Sequence, residues 1–260
     1  DEKILASCLE LIKNKINFKN SILIASEIWR EALEKRLSKI EFLISNKDLA
    51  EIKNIYENLY LSDLMEGAVS HQSNLHLIKR ISQGTRFHFR KKLVENIIKK
   101  NNRNYLKNIN NLITSDIYNY GRPFAHKIKN NKKVNIEYPD ELYFSEFIFR
   151  FLKLCQYDEI TFIGDGSGLL APLVVYSNKE LLGNINCKYR IIDFAHFAIS
   201  TFLRINSEEK NIYINLPEEI HKFSNNKALE GSIPKIKGKR LIINQDSFPE
   251  MSNTSLKTYL

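Results

Sequence analysis

The sequence predicts an α/β chain: a helical region over residues 1–156, then a parallel-sheet domain over residues 157–260. Three observations carry that reading. Apolar residues recur every three or four positions up to about residue 155. After residue 158 short β-rich runs replace that period, with helix-compatible segments between the first three. The first of these runs ends in a glycine-rich turn that passes straight into a helical pattern.

In Ser21 to Ser45, Ile22, Ala25, Trp29, Leu33, Leu37, Ile40 and Ile44 mark one face of an amphipathic helix. Similar patterns cover about 48–61, 88–100 and 104–118, the last with Leu106, Ile109, Ile113 and Ile117 in one stripe. Tyr120-Gly121-Arg122-Pro123 is a turn by composition. Pro139 and then Asp140, read as an N-cap, open a helix that carries Phe144, Phe147, Ile148, Phe151, Leu152 and Cys155. The β-runs are Ile160–Ile163, Tyr189–Ile192, Ile212–Asn215 and Leu241–Ile243, with helices expected at about 167–177 and 194–204. Short apolar strands alternating with helices predict a parallel sheet buried on both faces, in a doubly wound arrangement.

Composition narrows the function classes. With 260 residues, 43% hydrophobic and nine Gly, the chain is neither collagen-like, low-complexity nor disordered. Its cysteines (Cys8, Cys155, Cys187) form no CxxC pair, which argues against a disulfide framework and a zinc ribbon and for reduced thiols in a cytoplasmic protein. No apolar run approaches the ~20 residues of a membrane span. The opening DEKILASCLELIKNK puts acids ahead of a short amphipathic stretch, unlike a signal peptide, and its lack of Met points to a trimmed or partial product. His71, His76, His88, His126 and His221 have no ligand spacing and read as surface or core residues.

The net charge of +9 is local. Residues 79–107 hold ten Lys/Arg against the single acid Glu95, so the rest of the chain sums to zero. Such a face suits a phosphate-rich polymer, an acidic glycan or an anionic membrane surface, or is simply a solvated helix face. Few aromatics interleave with the charges, and no nucleic-acid motif is present, so base reading is not expected.

The sharpest motif is Ile163-Gly164-Asp165-Gly166-Ser167-Gly168-Leu169 at the end of the first β-run. Glycines there permit a tight turn and let a ligand press on the backbone. A dinucleotide loop wants a further Gly at position 169, which is Leu, and a phosphate loop wants a Lys, which is absent. S-adenosylmethionine, with no diphosphate to neutralise, fits better. Asp193 ends the second β-run, where a carboxylate accepts ribose hydroxyls, or caps the helix 194–204. The fourth β-run leads into Asn244-Gln245-Asp246-Ser247-Phe248-Pro249-Glu250-Met251. An Asp at that carboxyl edge serves as a general base, holds a metal, or makes an ordinary turn.

Together, 163–169, Ile191-Ile192-Asp193 and 244–251 resemble the bacterial sugar O-methyltransferases, a branch of the class I S-adenosylmethionine-dependent enzymes. The likeness covers about 118–252, with Tyr120–Pro123 similar to the family's turn ahead of the catalytic domain. It implies a Rossmann-like domain with strand order 3-2-1-4, only partly complete because sixteen residues follow Asn244. The resemblance implies a cofactor bed of Gly164, Asp165, Gly166, Ser167, Gly168, Asp193, Asn244 and Gln245. Phe162 stands where the family usually has Glu, and Asp165 is the acid that could replace it.

Methyl transfer to a sugar hydroxyl is an in-line displacement helped by a base. Asp246 is the first candidate and His196 the second, with Glu250 orienting the acceptor. A divalent metal on Asp246 and Glu250 is conceivable, but two carboxylates four residues apart do not establish one. The expected acceptor is a sugar, a nucleotide-sugar or a surface glycan or capsule precursor. Residues 1–156 then serve acceptor binding or homo-oligomerisation. The alternatives are a Rossmann-type nucleotide-dependent oxidoreductase, or a non-catalytic binding or assembly protein with a degenerate methyltransferase domain.

Overall fold

A computed structural model describes residues 2–12, 27–46, 48–59, 62, 77–121, 125–127, 133–135, 138–166, 168–205, 211–224, 227–229, 231–244 and 257. It is an α/β protein with a small parallel sheet and several helices. The helices are α1 (Glu2–Ile12), α2 (Glu27–Ser45), α3 (Leu49–Glu57), α4 (Leu77–Ile113), α5 (Tyr138–Leu154), α6 (Leu170–Tyr176), α7 (Ala195–Ile205) and α8 (Pro217–Ile220). A π-helical segment, Ser177–Leu181, follows α6. The strands are β1 (Ala125–Lys127), β2 (Lys133–Asn135), β3 (Glu159–Ile163), β4 (Lys188–Ile192), β5 (Ile212–Asn215), β6 (Lys222–Ser224), β7 (Lys227–Leu229) and β8 (Arg240–Asn244).

The chain divides into two compact units, and each draws on residues from both sides of position 156. One contains residues 1–54, 157–168 and 186–260; the other contains 55–156 and 169–185. The grammar change at 156–158 marks where strands begin, while the segment 169–185 joins the helical unit because Leu169 and Leu173 are buried in its core.

In the sheet-containing unit the order is β5-β4-β3-β8, all parallel. The register sets Ile163 beside Ile192 and Asn244, so three strand ends finish level. Alternation puts Ile160, Phe162, Tyr189, Ile191, Ile212, Ile214 and Ile243 on one buried face. The other face is not covered along its length: Tyr213 is 39% and Ile242 42% exposed. Burial of both faces, the sequence expectation, therefore holds for the central strand β3, every residue of which is buried, and fails on the outer strands β5 and β8. Lys188-Tyr189-Arg190 and Arg240-Leu241-Ile242 place charge and bulk on that second face at period two. At its carboxyl end Ile163 and Ile192 are sealed by Ile220 and Ile233.

On that second face Glu159, fully buried, receives Arg190 through two bonds of 2.9 and 3.0 Å and Arg240 at 2.8 Å. Thr161 donates to it at 2.9 Å. Burial alone would raise the Glu159 pKa, but the bonds from Arg190 and Thr161 hold it below the usual carboxylate range. The pairs lock β4 and β8 to the middle strand.

In the helical unit, α4 is two helices joined at Asn102, whose backbone is extended and whose side chain accepts from the Tyr105 N–H at 3.3 Å. Asn102 thus caps the second half, which matches a break expected between 100 and 104. Tyr105 packs on Phe149 and donates to Ser145 at 2.8 Å, joining α4 to α5. Helix α5 begins at Tyr138, so Asp140 lies inside the first turn rather than at the cap, and pairs with Arg90.

Candidate functional site

The site is built where β3 and β4 end. Gly164, Gly166 and Gly168 all take positive φ, at 65°, 56° and 71°. The Gly164 N–H bonds the Ile192 carbonyl at 2.9 Å, and the Gly168 N–H closes a turn onto the Asp165 carbonyl at 3.1 Å. The glycines at 166 and 168 serve different ends. A Cβ on Gly168 would stand 2.8 Å from Thr201 Cα and 2.9 Å from Thr201 N, so Gly168 lets the loop lie against α7. A Cβ on Gly166 would meet nothing within 4 Å, so the loop's tip borders open space.

Asp193 closes the arrangement from the neighbouring strand. Its Oδ2 accepts from the Gly166 N–H at 3.1 Å and its Oδ1 from the Phe194 N–H at 2.8 Å. Helix α7 begins at Ala195, so the carboxyl does not cap the helix interior and is directed to the loop. It is 6% exposed. Burial raises its pKa to about 8; the two backbone bonds oppose the rise and the Asp165 charge adds to it. Each oxygen has a second lone pair, the capacity a ribose diol would use.

Asp165 lies half-buried on the same loop, with the Thr201 hydroxyl donating to its Oδ2 at 3.5 Å. Asn244 donates its Nδ2–H to the Ile163 carbonyl at 2.8 Å, fastening the end of β8 to the residue before the loop. His196 is on the first turn of α7, fully buried against Phe197, ring centroids 4.0 Å apart. Burial and then the Arg36 charge lower its pKa to about 3, which makes it a neutral core imidazole and a weak base. Phe162 is 1% exposed and belongs to the core.

The structure thus brings Gly164, Asp165, Gly166, Gly168, Asp193 and Asn244 to one edge of the sheet. Ser167, Gln245, Asp246 and Glu250 lie outside the described residues, as do Arg122 and Pro123 of the expected turn. Thr201 was not visible to sequence reasoning, because a Thr inside a helical run carries no signal of the glycine it will meet. Among the described residues no three His, Cys, Asp or Glu side chains converge as metal ligands. No helix among them is long and apolar enough to cross a membrane. No family model, curated protein or solved structure matches the chain.

Proposed function

We propose that this chain binds S-adenosylmethionine on the 164–168 loop and transfers its methyl group to a sugar hydroxyl. One observation carries the reading: Asp193 reaches from β4 to the Gly166 N–H, beside a loop tip with room above it. The strand order supports it, since β3 and β4 are adjacent and β8 lies on the far side of β3, as a Rossmann-like methyltransferase sheet requires.

The donor supplies an electrophilic methyl on a sulfonium. Asp193 hydrogen-bonds the ribose hydroxyls with the capacity its backbone bonds leave, and Asp165 adds negative potential toward a cationic ligand. Gly166 allows backbone approach. Asn244 holds the β8 end level with the loop, and so sets where the following segment, with Asp246 as the proposed base, begins. With His196 buried and weakly basic, Asp246 is the stronger of the two candidates. A sugar, nucleotide-sugar or glycan precursor is the proposed acceptor.

The test is incubation with methyl-labelled S-adenosylmethionine and a panel of sugars, nucleotide-sugars and lipid-linked glycans, read by mass spectrometry. A gain of one methyl on a hydroxyl supports the proposal. Binding of nicotinamide dinucleotide with no methyl transfer to any acceptor would favour the oxidoreductase reading instead.

A further inference from the structure

Two outward helix faces in the helical unit have no role in the proposed reaction. On the first half of α4, Arg86, Phe89, Leu93 and Lys100 share one face and are exposed, Phe89 at 69% and Leu93 at 50%; beyond the break at Asn102, Arg103 and Lys107 are exposed as well. On α5, Phe144, Phe147, Phe151 and Leu154 repeat the spacing on the side opposite Leu142, Ser145 and Phe149. Leu154 is 80% exposed and Phe147 51%. Exposed apolar stripes of this size mark interaction surfaces.

We infer that α4 and α5 form a docking surface for an anionic lipid bilayer. The charge decides the occupant: residues 79–107 carry ten cations against Glu95, which complements a negatively charged surface. The apolar part decides which surface. Nucleic acid offers phosphates to Lys100, Arg103 and Lys107 and bases to aromatic rings, but nothing to the aliphatic Leu93 and Leu154. A lipid interface takes both, with phenyl and leucyl groups in the acyl boundary and Lys and Arg among the head groups. A second copy of the chain would cover the apolar stripes but bring a further basic α4, with only the net single negative charge of α5 (Asp140, Glu141 and Glu146 against Arg150 and Lys153) to offset it. The inference does not depend on methyl transfer.

The experiment is co-sedimentation of the whole chain with vesicles of phosphatidylglycerol and phosphatidylcholine, against phosphatidylcholine alone. The expected result is binding to the anionic vesicles only, weakened by salt. Replacing three cations together (Lys100→Gln, Arg103→Gln, Lys107→Gln) should weaken it about 100-fold. The pair Phe147→Ser and Phe151→Ser should weaken it about tenfold or more, with an unchanged circular-dichroism melt because both rings are already half exposed. Equal binding to both vesicle types, or binding that survives both variants, overturns the inference. So does binding of a single-stranded oligonucleotide without vesicle binding, or a dimer by light scattering, lost in the Phe variant, that binds no vesicles.

Discussion

The Asp193 carboxyl, at the end of β4, accepts a hydrogen bond of 3.1 Å from the backbone N–H of Gly166 at the tip of the loop that follows β3. Two strands that are neighbours in the sheet are thereby joined at the loop proposed to carry the ligand.

The two glycines of that loop should separate the proposed binding from folding, because only one of them packs against protein. Gly168→Ala puts a methyl into the backbone of Thr201 and keeps φ near 71°, so it should cost about 3 kcal/mol in urea unfolding. Gly166→Ala meets nothing and should cost only about 1 kcal/mol of backbone strain, yet remove most binding of S-adenosylhomocysteine. Equal losses of stability in the two variants would contradict the assignment.

Buried charge on the sheet gives a second expectation. Glu159→Gln leaves Arg190 and Arg240 without their carboxylate, which should cost about 3–5 kcal/mol of unfolding free energy. Chemical denaturation of the variant checks it; a loss below about 1 kcal/mol would show that the cluster is solvated.

The pH dependence follows from two shifts of opposite sign. Asp193 is raised from 3.8 to about 8, so its contribution is full below pH 4 and is lost as pH climbs toward 8. His196 is lowered from 6.5 to about 3, so its contribution is full above pH 6.5 and is lost as pH falls toward 3. The two slopes oppose each other between about pH 4 and 6.5, and only the Asp193 loss remains from 6.5 to 8. Thermal melts should therefore show a midpoint falling from pH 6.5 to 8, and Asp193→Asn should flatten that limb. An unchanged limb in the variant would mean that the carboxyl is already ionised in the fold.

Much of this was legible in the chain. Each of the four sheet strands falls within one residue of its apolar run, because β-branched residues at Ile160–Ile163 and Ile212–Asn215 allow little else. The break in α4 was visible as an interruption of apolar period, and Asn102 explains it. The partly open second face was not foreseen, since only the register sets Arg240 opposite Glu159 and Arg190 opposite Thr161, one pair along, within reach of the same carboxylate. The hairpins β1–β2 and β6–β7 are three residues per strand, too short to print a pattern. The aromatic residues of α5 look like core in sequence; the actual buried stripe runs through Leu142, Ser145, Phe149 and Leu152.

Calorimetric titration of the chain with S-adenosylhomocysteine, set beside Asp193→Ala, tests the central claim most directly. The account predicts saturable one-site binding that the substitution abolishes. Absence of binding to the unaltered chain, or equal affinity in the two proteins, would contradict it.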